Sequence, residues 1–199
     1  MNRLRFLAVL SFVYFFGSGF SSLNQKVIAG FSLKSTSGKI VSLKDYSNAK
    51  GCIVVFTCNH CPFAKLYPER LNQLNAKYRP LGIPLIAISS SDTLIHDEDT
   101  FSEMVKRARE KKYNFPYLYD NTQAVAREFG AEKTPHAFVI WKEQGSWKIK
   151  YNGAIDDNGA EPEKVTHAYV ADAVDALLAG REIKISETKS IGCSINLKR

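Results

Sequence analysis

The sequence has no internal repeat and no low-complexity stretch, which excludes solenoid and collagen-like architectures. It has no apolar run of the ~20 residues that a membrane-spanning helix needs. The longest, Phe6 to Phe16, is about 11 residues. Cysteine is scarce: Cys52, Cys58, Cys61 and Cys193 are the full set, with a single Cys-x-x-Cys pair. One pair is too few for a structural zinc site built from two. The residue after the pair is Pro62 rather than histidine, which excludes covalent haem attachment. Acidic residues are the minority, 20 against 27 Lys and Arg, for a net charge of +7.

What is present suits one globular domain. Apolar residues make up 45% and charged residues 24% of 199, enough for a sizeable core. The first 22 residues stand apart, with Arg3 and Arg5, then the apolar run, then Gly17, Ser18, Gly19, Ser21 and Ser22. That order reads as a secretory signal peptide. An uncleaved N-terminal anchor, extended through Gly17 to Phe20, is the rival. No cysteine near the cleavage region offers a site for a lipid. Export places the mature chain in the periplasm or another extracytoplasmic space, with membrane contact only if the segment stays. Cleavage removes two basic residues, leaving 25 against 20, or +5. The densest basic run, Lys106, Arg107, Arg109, Lys111 and Lys112, is interleaved with Glu103 and Glu110. It reads as a solvated helix face, so nucleic acid is not an expected partner.

Periodicity predicts the elements. "FSLKSTSGKIVSL" alternates about Ser37-Gly38 as a β-hairpin. "CIVVF" (52–56) and "IPLIAIS" (83–89) are continuous apolar runs, as in strands buried on both faces. Leu66, Tyr67, Leu71, Leu74 and Tyr78 recur at helical spacing and predict a helix over 63–78. A second helix is expected over 99–112. A short one over 122–130 opens on a threonine cap and closes on Gly130. Residues 115–120 read as a short strand, and 136–141 with 147–153 as an antiparallel hairpin. Residues 163–180 form a last amphipathic helix closed by Gly180. The expected fold class is α/β, a central mixed β-sheet flanked by helices with an N-terminal β-hairpin extension. The domain spans 23–180, and the tail 181–199 is polar, weakly patterned and contains Cys193.

The chemistry concentrates in "VVFTCNHCPFAK" (54–65), where Cys58 and Cys61 stand between a buried strand and a helix. A helix N-terminus offers free N–H groups and the positive end of the helix dipole, and both stabilise a thiolate. The thiolate is the nucleophile of disulfide exchange. Cys58 is therefore the expected nucleophile and Cys61 the resolving thiol. His60, protonated, would stabilise the thiolate further, and with Asn59 it would tune the potential. Thr134-Pro135 stands just before a strand. A cis bond there would aim the Thr134 backbone at a neighbouring cysteine. Partners would be protein or small-molecule disulfides and a redox partner. No organic cofactor is required, because the dithiol itself carries two electrons.

These residues resemble the thioredoxin-like fold, and more closely the exported redoxin-domain proteins grouped with the AhpC/TSA (alkyl hydroperoxide reductase/thiol-specific antioxidant) family and with TlpA-like thiol–disulfide proteins. The resemblance rests on "FSLKSTSGKIVSL", "VVFTCNHCPFAKLYPERL", "FPYLYDNTQAVAREFGAEKTPHAFVI", "YNGAIDDN" and "GCSI", nearly all of residues 30 to 195. It implies Cys58 and Cys61 as the redox pair and Pro135 as the adjacent cis-proline. Peroxidases of this superfamily carry P-x-x-x-T-x-x-C. The matching positions here are Gly51 and Val55, with Thr57 directly before the cysteine. Disulfide exchange is thus the leading expectation and peroxide reduction the alternative. A third reading, from another class, is a soft-metal carrier holding copper through Cys58, Cys61 and a histidine.

The remaining candidates are fewer. Cys52 reads as a small buried hydrophobe. Cys193 reads as a third redox thiol reaching the CxxC, a partner of Cys52 in a disulfide, or a packed or free thiol. His136 follows the proline and reads as packed more readily than as facing the site. His96 and His167 read as structural or solvent-facing, and Asp156-Asp157-Asn158 as a turn.

Overall fold

The computed structural model describes residues 26–198, so the N-terminal signal or anchor segment lies outside the described residues. In chain order the elements are β1 (Val27–Ile28), β2 (Ser32–Ser35), β3 (Ile40–Ser42), β4 (Gly51–Phe56), α1 (Pro68–Tyr78), β5 (Leu85–Ser89) and α2 (Phe101–Glu110). There follow β6 (Tyr117–Tyr119), α3 (Ala124–Phe129), β7 (Lys133–Thr134), β8 (His136–Glu143), β9 (Ser146–Gly153), α4 (Tyr169–Leu178) and β10 (Cys193–Ser194). Eight strands make one mixed sheet in the order β1-β9-β8-β4-β5-β6-β2-β3. Strands β4, β5 and β6 run parallel, and β8 returns antiparallel on β4. The N-terminal hairpin β2–β3 joins this sheet through β6 at one edge. Among the described residues no helix is long and apolar enough to cross a membrane.

The central strand explains the layering. Every residue of β4 is buried. Alternate side chains point to opposite faces. Ile53 and Val55 pack with Leu71 and Tyr78 of α1, Met104 of α2 and Val170, Ala173 and Val174 of α4. Cys52, Val54 and Phe56 face the other way, onto Val125, Ala126 and Phe129 of α3 and Leu43 after the hairpin. Two apolar faces on one strand require cover on both sides, and helices supply it. The result is the thioredoxin-like α/β fold expected from the sequence. The β8–β9 hairpin turns at Gln144 and Gly145, both with positive φ (50° and 80°), which suits the twist of a tight hairpin.

Among the boundaries that differ from the expected ones, three have a clear local reason. The helix over 63–78 is split: a 3₁₀ turn spans Ala64–Leu66, and α1 begins at Pro68. Proline has no N–H to continue the first turn, but it suits the first position of a new one. The cap of α3 is Gln123 at φ 59°, not Thr122. The fully buried Gln123 side chain donates to the carbonyls of Ser90 and Asn196 (2.8 and 2.9 Å), which holds its backbone out of the helix. The last helix begins at Tyr169 rather than near 163. Asp157 accepts from the Thr166 N–H (3.0 Å) and hydroxyl and pulls that segment aside.

Candidate active site

Strand β4 delivers Cys58 two residues beyond its end. The chain then bends through Asn59 to Pro62 before the 3₁₀ turn, so the first α-helical residue lies ten positions beyond Cys58. The helix-terminus environment expected for the sulfurs is therefore supplied by the bend and by neighbouring segments. Chief among these is Thr134, 3% exposed, at the end of β7 and joined to Pro135 by a cis bond. Its hydroxyl lies 3.1 Å from Cys58 Sγ, and its carbonyl accepts from Cys61 Sγ at 3.0 Å. One residue thus touches both sulfurs. Cys58 is 5% exposed and Cys61 0%.

The two thiols share a proton economy. The Cys58 S–H directed at Cys61 lowers Cys61 to about 4, helped by the Cys193 side chain and by the backbone N–H groups of Ala64 and Cys193. The same bond raises Cys58, and burial and the Asp99 carboxylate raise it further. Thr134 acts in the opposite sense. Its carbonyl needs a proton on Cys61, and its hydroxyl can donate to Cys58. The pair therefore loses a first proton readily and holds the second between the sulfurs. Of the two residues, Cys58 is the one with residual exposure.

This has a pH consequence. A thiol lowered from 9 to about 4 on folding contributes stability that is fully present above its unfolded value and lost as pH falls through 4. The disulfide form has no such titration. The melting temperature of the dithiol form should therefore rise relative to the disulfide form as pH climbs from 4 toward 9. Parallel calorimetry of the two redox states over that range checks it, and a difference that does not vary with pH would count against a shared thiolate.

The second half of the site comes from a segment the sequence did not single out. Asp99, fully buried, lies in a 3₁₀ turn (Asp97–Asp99) just before α2 rather than within that helix. Its Oδ1 accepts the backbone N–H groups of Asn59 (2.6 Å) and His60 (3.2 Å), and its Oδ2 takes His60 Nδ1. That bond directs the other ring nitrogen, Nε2, at Cys58 Sγ, 4.0 Å away. His96 stacks flat on His60, with ring centroids 3.6 Å apart and planes 6° from parallel. Asn59 binds away from the sulfurs. Its side chain donates to the Glu98 carbonyl (2.8 Å) and accepts from the Tyr117 hydroxyl (3.3 Å). It clasps the bend to the 97–99 turn and to β6.

The tail is the other surprise. Cys193 lies in β10, which pairs antiparallel with β7 in the register Cys193–Thr134. Its N–H donates to Cys61 Sγ at 3.3 Å, and its side chain packs against the small cluster that Cys58, Cys61 and Ala64 form. Cys52 sits at the far end of β4, roughly 20 Å from Cys58 at ~3.3 Å per residue, in a different core cluster. A Cys52–Cys193 disulfide is therefore ruled out by geometry. Burial raises the Cys52 thiol to about 12, which makes it inert. His136 is buried, stacks on Phe138 and accepts the Glu132 N–H (3.3 Å), and burial lowers its pKa. His167 is exposed and stacks on Tyr169. Asp156 is buried in an ion pair with Arg70 (2.7 Å) and accepts from the Tyr67 hydroxyl, tying its loop to α1.

Among the described residues, Cys58, His60 and Asp99 are the group whose ligand atoms lie close enough for one metal ion, all within 4.8 Å. The Asp99 carboxylate already accepts from two N–H groups and the imidazole, which leaves Cys58 and His60 Nε2 to a soft cation. Next to Pro135 a cavity of about 260 Å³ is lined by Phe63, Leu66, Tyr67, Ile155 and Ile191, with Asp156, Asp157 and Asn158 on its polar side, and no sulfur lines it. A larger one, about 810 Å³, lies under the tail against β8 and β9, and no sulfur lines it.

The model of the AhpC/TSA family matches residues 24–151. No curated protein matches the chain. Among solved structures, an uncharacterized conserved protein from Geobacillus kaustophilus is 37% identical, with a TM-score of 0.80 over 87% of this chain and 92% of that one. A hypothetical protein from Sinorhizobium meliloti 1021 is 31% identical, with a TM-score of 0.79 over 87% of this chain and 94% of that one. A peroxidoxin from Mycobacterium tuberculosis, 18% identical with a TM-score of 0.58 over 79% of this chain and 97% of that one, shares the fold.

Proposed function

The chain belongs to the AhpC/TSA family, and on that premise we propose that it is an exported thiol–disulfide oxidoreductase working through Cys58 and Cys61. The observation that carries this reading is Thr134 held against both sulfurs, its hydroxyl on Cys58 and its carbonyl on Cys61. Cys58 attacks a partner disulfide. One new S–S bond forms, the partner's S–S bond breaks, and the leaving sulfur departs as a thiolate that takes a proton. Cys61 then attacks Cys58 Sγ, closes the intramolecular disulfide and expels the second thiol. Two electrons pass from the dithiol to the partner, and the reverse sequence oxidises a partner dithiol. His60 Nε2 takes the Cys58 proton as the thiolate forms, and Asp99 holds the ring in the tautomer that permits it. The apolar cavity beside Pro135 suits the side chains of a polypeptide partner. No cofactor enters the cycle. Export rests on the Arg3/Arg5, apolar and small-residue order of the N-terminal segment.

Disulfide exchange is favoured over peroxide reduction by what stands at the peroxidase motif positions. Val55 is a core strand residue with 0% exposure, and Gly51 lies against Trp141, where a Cβ would come within 2.4 Å of the ring. Neither presents a group to a peroxide. Stopped-flow oxidation of the reduced protein separates the two chemistries. A peptide disulfide should react at least about tenfold faster than hydrogen peroxide at equal concentration, a difference of roughly 1.4 kcal/mol in barrier. Faster, Cys58-dependent reaction with peroxide would establish the peroxidase instead. The copper reading has the Cys58–His60–Asp99 cluster in its favour. Stoichiometric copper retained after purification under reducing conditions would be its signature.

A further inference from the structure

The last segment of the chain is held across the site by an unusual density of contacts. Thr188 is fixed first: its N–H donates to the Asn152 carbonyl (3.0 Å), and its hydroxyl meets the Tyr151 hydroxyl (2.7 Å) and the Ala154 N–H (2.9 Å). Gly192 then passes directly over Thr134, so close that a Cβ there would lie 2.0 Å from the Thr134 carbonyl oxygen. Beyond β10, Ile195 donates to the Glu132 carbonyl (2.8 Å), and Lys198 donates to the Gln123 side chain (2.6 Å). These anchors place Cys193 against Cys61 on the side of Thr134 where β7 would otherwise present an open edge. Cys61 thus stands between two thiols, bonded to Cys58 on one side and to Cys193 on the other.

We infer that Cys193 is a third redox thiol, which takes over the disulfide of the Cys58–Cys61 pair and stores it as Cys61–Cys193. The inference rests on the dithiol reading above and deepens it. The step balances without an external reagent. The Cys193 thiolate attacks Cys61 Sγ, a Cys61–Cys193 bond forms, the Cys58–Cys61 bond breaks, and Cys58 leaves as a thiolate. The proton lost by Cys193 is returned to the Cys58 side. Cys58 is thereby freed to accept a second partner while the oxidising equivalent waits on Cys193, the most exposed of the three residues. In the dithiol state burial, the bond to Cys61 and the charge on Cys61 push Cys193 up to about 11. Once Cys61 is in a disulfide the two causes that come from Cys61 vanish, while burial and the Asp99 charge still oppose the thiolate and Lys133 favours it.

The test uses the position of trypsin sites. Cys58 and Cys61 fall in one peptide, Gly51 to Lys65, and Cys193 in another, Ser190 to Lys198. A Cys58–Cys61 disulfide is internal to the first peptide, whereas Cys61–Cys193 joins the two. The full chain and its Cys58→Ser, Cys193→Ser and Cys58→Ser/Cys61→Ser forms are oxidised with oxidised glutathione, alkylated, digested and mass-mapped. Cys58→Ser should give the joined peptides as its main oxidised form, with fragmentation placing the bond on Cys61. The join should be lost when Cys61 is also changed. Cys58→Ser that yields only free or glutathionylated Cys61 and Cys193 overturns the inference. If Cys193→Ser still forms the Cys58–Cys61 disulfide in that case, the dithiol reading stands without it. If Cys193→Ser forms none, the dithiol reading falls and the relay falls with it. As a second measurement, Gly192→Ala, which drives a methyl into the Thr134 carbonyl, should cut the yield of joined peptides in wild-type background while leaving the internal disulfide. An undiminished yield would show that the tail does not position Cys193.

Discussion

Cys58→Ser is expected to abolish disulfide exchange, and Cys61→Ser to stop the reaction one step later with the partner attached. The two outcomes follow from position. Cys58 has the only exposure of the pair, 5% against 0%, and it faces the Thr134 hydroxyl and His60 Nε2. Without it the first attack loses its placed nucleophile, and the rate should fall on the order of 10³-fold or more, as when any nucleophile is removed; Cys61 and Cys193 are left to react only slowly, under prolonged excess of oxidised glutathione. Cys61→Ser leaves the attacking sulfur intact. The mixed disulfide at Cys58 then persists, because the hydrogen bonds of Cys193 are made to Cys61 and not to Cys58. A non-reducing mass measurement after mixing with a peptide disulfide shows a protein increased by one peptide half in Cys61→Ser and unchanged in Cys58→Ser. The reverse pattern, an adduct in Cys58→Ser and none in Cys61→Ser, would mean that Cys61, the thiol lowered to about 4, makes the first attack and that exposure does not decide the order.

How much of this was legible in the sequence depends on distance along the chain. Cys58, Cys61 and Pro62 announce themselves through spacing alone, and the buried runs of β4 and β5 through continuous apolar residues. Thr134-Pro135 was legible as a pair before a strand, and it falls where expected. The helix over 63–78 was misjudged because Leu66, Tyr67, Leu71, Leu74 and Tyr78 keep helical spacing straight through Pro68. The apolar stripe is real, since Tyr67 and Leu71 share one core cluster. The break is set by one missing N–H, to which periodicity is blind. Asp99 could not be picked out, being one of three acids in "HDEDT" and meeting His60 from 39 positions away. Nothing local distinguishes the carboxylate that is buried from the two that are not. His96, in the same stretch, carries no local mark of its stacking on His60 either. The tail looked unpatterned because it is held by backbone pairing, a glycine crossing and single side-chain bonds rather than by an apolar face. The fold's core is written in local periodicity, whereas the groups that tune the sulfurs arrive from segments whose role exists only after folding.

The most demanding test of that tuning is Asp99. The carboxylate is fully buried, pairs with His60 and with no lysine or arginine among the described residues, and takes three donors from the segment that carries the cysteines. Asp99→Ala leaves two backbone N–H groups and a ring N–H without partners. Breaking one side of a buried charged cluster costs about 3–5 kcal/mol. In a chain of this size each kcal/mol lowers the melting temperature by ~2–4 °C, so a fall of roughly 6–20 °C is expected by calorimetry. Asp99→Asn keeps the shape and one acceptor oxygen, and separates structure from chemistry. Its amide can donate to His60 Nδ1, which reverses the tautomer and points an N–H rather than a lone pair at Cys58. Nε2 can then no longer take the thiol proton. Alkylation of Cys58 at neutral pH should slow by roughly 10²-fold, the scale of one positioned base, while the far-ultraviolet circular dichroism stays that of the wild type. His60→Gln, which removes the ring altogether, should slow alkylation to a similar extent, and combining it with Asp99→Asn should add little more. A wild-type alkylation profile across pH in Asp99→Asn would reduce the carboxylate to a clasp for the Asn59–His60 bend. Slowing in Asp99→Asn that is additive with His60→Gln would mean that the two residues act on Cys58 independently rather than through one imidazole.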